Sequence, residues 1–250
     1  MLFSTNTQID RPNILIGASQ IKYVESARNL GIIFNENLSW DTHINNICSK
    51  VYFALSRLKN ANAIFNIELR RKLVLALIIP IMTYGDVIFS NALAAELLKL
   101  ERCFNACIRF IYRRKRFDHL SDVRNSLLGC GLETYFKFRL ITQLFSIVHH
   151  QQPKYLYDAI TFARSARTRN IILPRARTEI QRDSLAFRSA RSWNELPTEL
   201  KSATSISRFK KTLKLISTSR QIELTHKSHV QLCSPPLIIP RSFTFCSPCT

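Results

Sequence analysis

The chain reads as α+β and mainly α, a small N-terminal antiparallel sheet packed on a helical bundle with a basic extension and a disordered tail. Three observations lead there. Apolar residues recur every three to four positions through several long stretches, strand-like alternation is confined to residues 1–34, and only 5 glycines occur in 250 residues. An apolar content of 46% is ample for a packed core.

Strand material comes first. Met-Leu-Phe, the Ile-Leu-Ile before Gly17 and the Ile-Lys-Tyr-Val at 21–24 are separated by turn residues. Leu30, Ile32 and Phe34 then share one face, with Gly31 and Ile33 on the other, up to Asn35-Glu36-Asn37. One small sheet follows from these runs, too small to stand without a helix or a partner across it. Ser39 or Asp41 can cap the next element, where Trp40, Ile44, Ile47, Val51, Leu55 and Leu58 form one stripe on a helix over 41–59. Asn45, Asn46, Ser49, Lys50 and Arg57 fill its other face.

Asn66 caps a second helix, with Leu69, Leu73, Val74 and Leu77 inward and Arg70, Arg71 and Lys72 outward, which Pro80 should stop. A third runs from about Ala92 through Leu93, Leu97, Leu100, Phe104, Ile108 and Ile111 into Arg113-Arg114-Lys115-Arg116. That tetrad has two readings, cations opposing the helix dipole or contacts to phosphate. A short helix is expected over Leu120–Leu128 before Gly129, and a long one from Leu132 to His150, where Tyr135, Phe136, Leu140, Leu144, Ile147 and Val148 face a core. Residues 163–191 hold eight arginines and two acids and read as a linker or extended strip. Ser205 can cap a last amphipathic helix led by Ile206, Phe209, Leu213 and Ile216, while 221–250 show no periodicity and read as disordered.

The charge balance is lopsided. With 36 Lys and Arg against 17 Asp and Glu, the formal charge is +19, which asks for a polyanionic partner unless the cations are simply solvated. Nucleic acid is preferred over an anionic membrane, because the charge is spread along the chain and accompanied by aromatics. The candidate contacts are Lys50, Arg57, Arg113, Arg114, Lys115, Arg116, Arg167, Arg169, Arg175 and Arg177.

Other classes find little support. The longest apolar run, Leu73–Tyr84, is broken by Pro80 and is shorter than the roughly 20 residues a membrane span needs. No basic region followed by an apolar run opens the chain, and Cys48, Cys103 and Cys107 sit in helical patterns, so reduced thiols in an intracellular protein, nuclear or cytoplasmic, are expected. There is no nucleophile elbow, phosphate-binding loop or small-molecule fingerprint. A two-metal site needs clustered carboxylates, and no Asp-Asp or Asp-x-Asp occurs, so no catalytic or metal-ligating residue is expected. His226, His229, Cys233, Cys246 and Cys249 make only a weak zinc pattern.

Three stretches together resemble one family. NLGIIFNENLSWDTHINNICSKVYFALSRL at 29–58 is similar to the segment that follows the palm in reverse transcriptases of non-LTR, jockey-like retrotransposons. IIPIMTYGDVIFS at 78–90 resembles the thumb motif of that family, and SLAFRSARSWNELPTELKSATSISRFKKTLK at 184–214 its closing segment. The resemblance implies palm-edge strands over 1–40, a thumb-like helical domain over 41–160, and a basic linker with a C-terminal helix over 161–220. It makes Leu30, Gly31, Ile32, Phe34 and Trp40 primer-grip-like and RNA or an RNA/DNA hybrid the partner. The catalytic palm, with its paired aspartates and Mg²⁺, would lie before Met1, so this chain alone is expected to be inactive. The alternative is a domesticated helical nucleic-acid-binding or interaction protein without catalysis.

Overall fold

The computed structural model describes residues 1–3, 11–60, 65–164 and 167–215. The expected disordered tail, including His226, His229, Cys233, Cys246 and Cys249, lies outside the described residues. The architecture is α+β and mainly α: two small antiparallel ribbons at the N-terminal end, then helices around two apolar cores.

The expected single sheet is two ribbons instead. Strand β1 (Leu15–Ile16) pairs with β2 (Ser19–Gln20), and β3 (Ser26–Asn29) pairs with β4 (Ile32–Asn35). Residues 1–3 and 21–24 lie outside the strands. The partner of β4 is Ser-Ala-Arg-Asn, a mostly solvent-facing strand with no apolar alternation to read.

Leu30 and Gly31 form the two-residue loop of the second ribbon, with φ of 46° and 86°. Positive φ at both positions is the turn that matches strand twist, and it points Leu30 into solvent at 84% exposure rather than onto the face of Ile32 and Phe34. A β-carbon on Gly31 would stand 3.2 Å from Cε1 of Tyr84, whose hydroxyl donates to the Leu30 carbonyl at 2.8 Å. Because Leu30 buries nothing and holds a left-handed backbone, Leu30→Asn is expected to raise stability by about 1 kcal/mol in urea titration.

Helix α1 (Asp41–Asn60) packs across β4. Asp41 accepts from the Ser39 hydroxyl at 2.7 Å and from the Asn35 amide at 2.6 Å, which pulls its carboxyl below the ordinary range and ties the ribbon to the helix start. The predicted stripe is observed: Ile44, Ile47, Val51 and Leu55 are buried, with Trp40 and Leu58 half-buried against them.

His43 closes the same junction. Its Nδ1 accepts from the Ile33 N–H at 3.3 Å, its ring lies 5.2 Å from that of Phe89, and Nε2 has no partner. Burial lowers its pKa below 6.5, the folded chain therefore binds fewer protons than the unfolded one, and stability falls as pH drops below about 6.5. The loss is up to about 1.4 kcal/mol per pH unit until the folded-state pKa is reached. Urea midpoints compared at neutral and mildly acidic pH should show this fall, and His43→Asn, which keeps an acceptor but no titration, should flatten it.

The next helix does not stop at Pro80. After α2 (Ile67–Leu73) the backbone widens into a π turn over Val74–Ile78, where the Ile79 N–H reaches the Val74 carbonyl, and α3 (Ile79–Thr83) continues. The wide turn places Pro80 in the first turn of α3, where its missing N–H costs nothing. The inward stripe shifts accordingly to Arg70, Val74, Ile78 and Met82, while Leu69 and Leu77 are exposed and Leu73 is half-buried.

Short α4 (Asp86–Phe89) leads to α5 (Ala94–Tyr112), whose Glu96 carboxylate reaches back to the Leu93 N–H at 3.1 Å. Leu93 itself is exposed; Leu100, Phe104, Ile108 and Ile111 fill the core. Residues 121–128, expected as a helix, are consecutive turns closed by the Gly129 N–H on the Asn125 carbonyl, with Gly129 at φ 79°. Hydrogen bonds three residues apart at Val123 and Ser126 prevent α-helical pitch there.

Helix α6 (Leu132–His150) belongs to both cores. Its first half gives Phe136 to the first, and Ile141, Leu144 and Phe145 line the second, where Phe145 stacks on Phe209 at 4.1 Å. After α7 (Lys154–Asp158) and an isolated bridge between Phe162 and Ile171, the stretch expected as a linker carries α8 (Glu179–Arg182) and α9 (Leu185–Asn194). Ser189, Ala190 and Trp193 give α9 a buried face, and its arginines occupy the other sides. Helix α10 (Thr198–Lys201) and a helical run over 206–215 complete this core, the latter begun by Ser205, whose hydroxyl accepts from the Arg208 N–H at 3.3 Å. Phe209 and Leu213 are buried as the spacing predicts.

Candidate nucleic-acid interface

Helices α1 and α5 run parallel. Lys99 near the start of α5 donates to Asn45 near the start of α1 at 2.9 Å, and one to two turns further on Cys48 and Tyr52 both meet Cys103. Their C-terminal ends therefore share one end of the first core. Helix α2 begins there too, since Arg70 donates from Nη1 to the Phe110 carbonyl at 3.1 Å.

This pole gathers Arg57 and Lys59 from α1, Arg71 and Lys72 from α2, and the Arg113–Arg116 tetrad after α5. Arg70, expected outward, is instead buried and donates from Nε to the Phe65 and Asn66 carbonyls at 3.2 and 3.3 Å. With its Phe110 contact, and with Arg113 in a left-handed cap that bonds the Arg109 carbonyl, the last turn of α5 is satisfied without the tetrad's other side chains.

The two readings of the tetrad thus separate by residue. Arg114 pairs with Asp122 at 2.8 Å, and the backbone N–H of Lys115 donates to Asp118 at 2.8 Å. The side chains of Lys115 and Arg116 have no acidic partner among the described residues, and neither do Lys50, Arg57, Lys59 and Lys72. All six are exposed. Lys50 lies on the outward face of α1 about two turns before Arg57, so it extends the pole along the helix.

The other predicted contacts sit elsewhere, on the second core. Arg169 has φ 47°, its carbonyl accepts from the Trp193 indole at 2.9 Å, and its guanidinium reaches the Lys201 carbonyl at 3.5 Å. It holds the fold. Arg167, Arg175 and Arg177 are exposed in the segment that leads into α8, and the Arg177 N–H donates to Gln181 at 2.7 Å. Among the described residues no ion pair joins these four to the pole.

A cleft of about 980 Å³ lies between α5, α6 and α9, and three of its four cations are paired with acids. Arg124 pairs with Glu101, Lys137 with Glu133 at 2.9 Å, and Arg191 with Glu195 at 3.7 Å. Arg188 is taken up by Ser90 at 2.8 Å and the Val87 carbonyl at 3.0 Å. A phosphate backbone entering there would have to break ion pairs first, whereas the pole offers unpaired cations.

The primer-grip-like residues split as well. Ile32 is buried, Phe34 and Trp40 lean together at 5.6 Å, and Leu30 with Gly31 form the exposed loop against Tyr84. They join the ribbon to the helices and carry no charge.

The acids do not suit an Mg²⁺ pair. Asp118 and Asp122 are already engaged by Lys115 and Arg114, Asp86 by Arg139, and among the described residues no three His, Cys, Asp or Glu side chains converge. The thiols of Cys48, Cys103, Cys107 and Cys130 are free, and burial pushes those of Cys107 and Cys130 up to about 12 and about 11. Thiols that stay protonated are poor nucleophiles. No helix among the described residues is long and apolar enough to cross a membrane.

Sequence reasoning passed over Lys59, Lys72 and two exposed rings at the pole, Phe53 and Phe117. The signal was present for the first ring, because Phe53 and Arg57 stand four apart on the polar side of α1. Set against protein families, curated proteins and solved structures, the chain matches none. Fold and site define a class: a mainly α domain whose parallel helices end in a cationic pole.

Proposed function

We propose that the chain is a thumb-like nucleic-acid-binding region of the non-LTR retrotransposon reverse-transcriptase type, which grips RNA or an RNA/DNA hybrid and does not polymerise alone. One observation carries the reading: Lys50, Arg57, Lys59, Lys72, Lys115 and Arg116 are exposed without acidic partners among the described residues, most of them at one end of two parallel helices. The likeness of residues 29–58, 78–90 and 184–214 to the family supplies the name of the partner. Mg²⁺ is what the resemblance assigns to the complete parent enzyme.

The test is fluorescence anisotropy of the full chain on labelled RNA and hybrid across a salt series. Affinity should fall steeply with salt, and Arg57→Gln, Lys115→Gln and Arg116→Gln combined should make the log–log slope shallower by about 3. An unchanged slope overturns the reading, as does liposome binding that outcompetes RNA. Primer extension above background with pure protein and Mg²⁺ refutes the absence of polymerisation.

A second reading, a domesticated helical binder, is favoured by the way α6 links two filled cores. It requires one cooperative unfolding transition in isolation, whereas a polymerase remnant should aggregate or unfold without cooperativity.

A further inference from the structure

Two phenylalanines stand in water where the chain is most cationic. Phe53 on the outward face of α1 is 64% exposed, and Phe117, just after α5, is 88% exposed. Each lies beneath a guanidinium, with Arg57 at 5.6 Å from the Phe53 centroid and Arg116 at 5.7 Å from that of Phe117. Neither ring belongs to a core.

A ring left in water gains nothing from burial, so packing does not account for either position. Phosphate contacts do not account for them either, because a phosphate is met by Arg57 or Arg116 without a ring below. What a ring beside a guanidinium can take is the flat face of a base, with the cation left for the adjoining phosphate. In a blunt duplex the base faces are covered by stacking. An unpaired strand presents them.

We propose that Phe53 and Phe117 are stacking platforms, and that the ligand of the pole is a single-stranded polynucleotide, free or as an overhang beside a hybrid. This rests on the pole being the nucleic-acid interface and specifies its substrate. Phe53 lies seven residues, about 10 Å, before the end of α1, so the strand runs along α1 toward the turn after α5.

The experiment measures anisotropy of the full chain on an unstructured RNA strand, the DNA strand of the same sequence, and a blunt hybrid. Phe53→Ala and Phe117→Ala should each weaken single-strand binding about 5- to 150-fold, leave the blunt hybrid within about twofold, and keep the salt slope. Phe53→Trp and Phe117→Trp should restore binding. Thermal midpoints should not move in any variant, since both rings are exposed.

An alanine effect on only the RNA or only the DNA strand keeps the proposal and identifies the strand. Unchanged single-strand affinity, or an equal loss on the blunt hybrid, overturns it. Hybrid binding without single-strand binding removes the stacking role and leaves the pole as an interface. No binding to any of the three removes both.

Discussion

Replacing Arg139 with methionine lowers stability by about 3–5 kcal/mol, because it strands a buried carboxylate. Asp86 is 1% exposed, and Arg139 engages it through Nε while donating from Nη2 to the Thr83 carbonyl at 3.1 Å. Burial raises the Asp86 pKa and Arg139 opposes that rise. Without the guanidinium the carboxyl moves further up, the folded chain then holds a proton that the unfolded chain has lost, and stability falls as pH rises above about 4. Urea titrations of Arg139→Met should therefore recover as pH is lowered. Adding Asp86→Asn should return a large part of the loss at neutral pH, since no charge is left unpaired; a second variant as unstable as the first would show that the pair is not the cause.

Trp193→Ala should cost about 3–5 kcal/mol and act on the second core. The indole is 1% exposed, lies 6.4 Å from the Phe145 ring, and donates to the Arg169 carbonyl. Its removal opens a cavity beneath α9 and frees the segment around Arg169. Trp193→Phe keeps a ring and loses only the hydrogen bond, for about 1–2 kcal/mol. Amide exchange should show the loss concentrated in α6, α9 and residues 206–215, with α1 and α5 retaining protection. Uniform loss would mean that the two cores unfold as one.

The helices were legible where an apolar stripe at α pitch was buried along the helix. The spacing in α1, α5 and α6 placed Ile44, Phe104 and Leu140 correctly, because packing and periodicity agree there. Through α2 and the π turn the buried residues recur every four positions at Arg70, Val74, Ile78 and Met82, so a stripe counted from Leu69 named Leu69 and Leu77 instead of Arg70 and Ile78. Arginine counting concealed α9, whose small residues and Trp193 hold the buried side while the cations dominate the composition. The pole was half legible. The Arg113–Arg116 run is plain in sequence, but its joining with Arg57, Lys59 and Lys72 depends on two helices running the same way, which no local pattern encodes.

The ribbons β1–β2 and β3–β4 each have only two strands, and Ile14, Leu15, Ile16, Ile21 and Val24 around the first are exposed. Their outer backbone groups can be continued by another copy of the chain. A charge of +19 per molecule keeps copies apart at low ionic strength. Any polyanion that cancels this repulsion also removes the barrier to edge-on stacking, so mixtures near charge neutrality should turn turbid first, and excess polyanion should clear them.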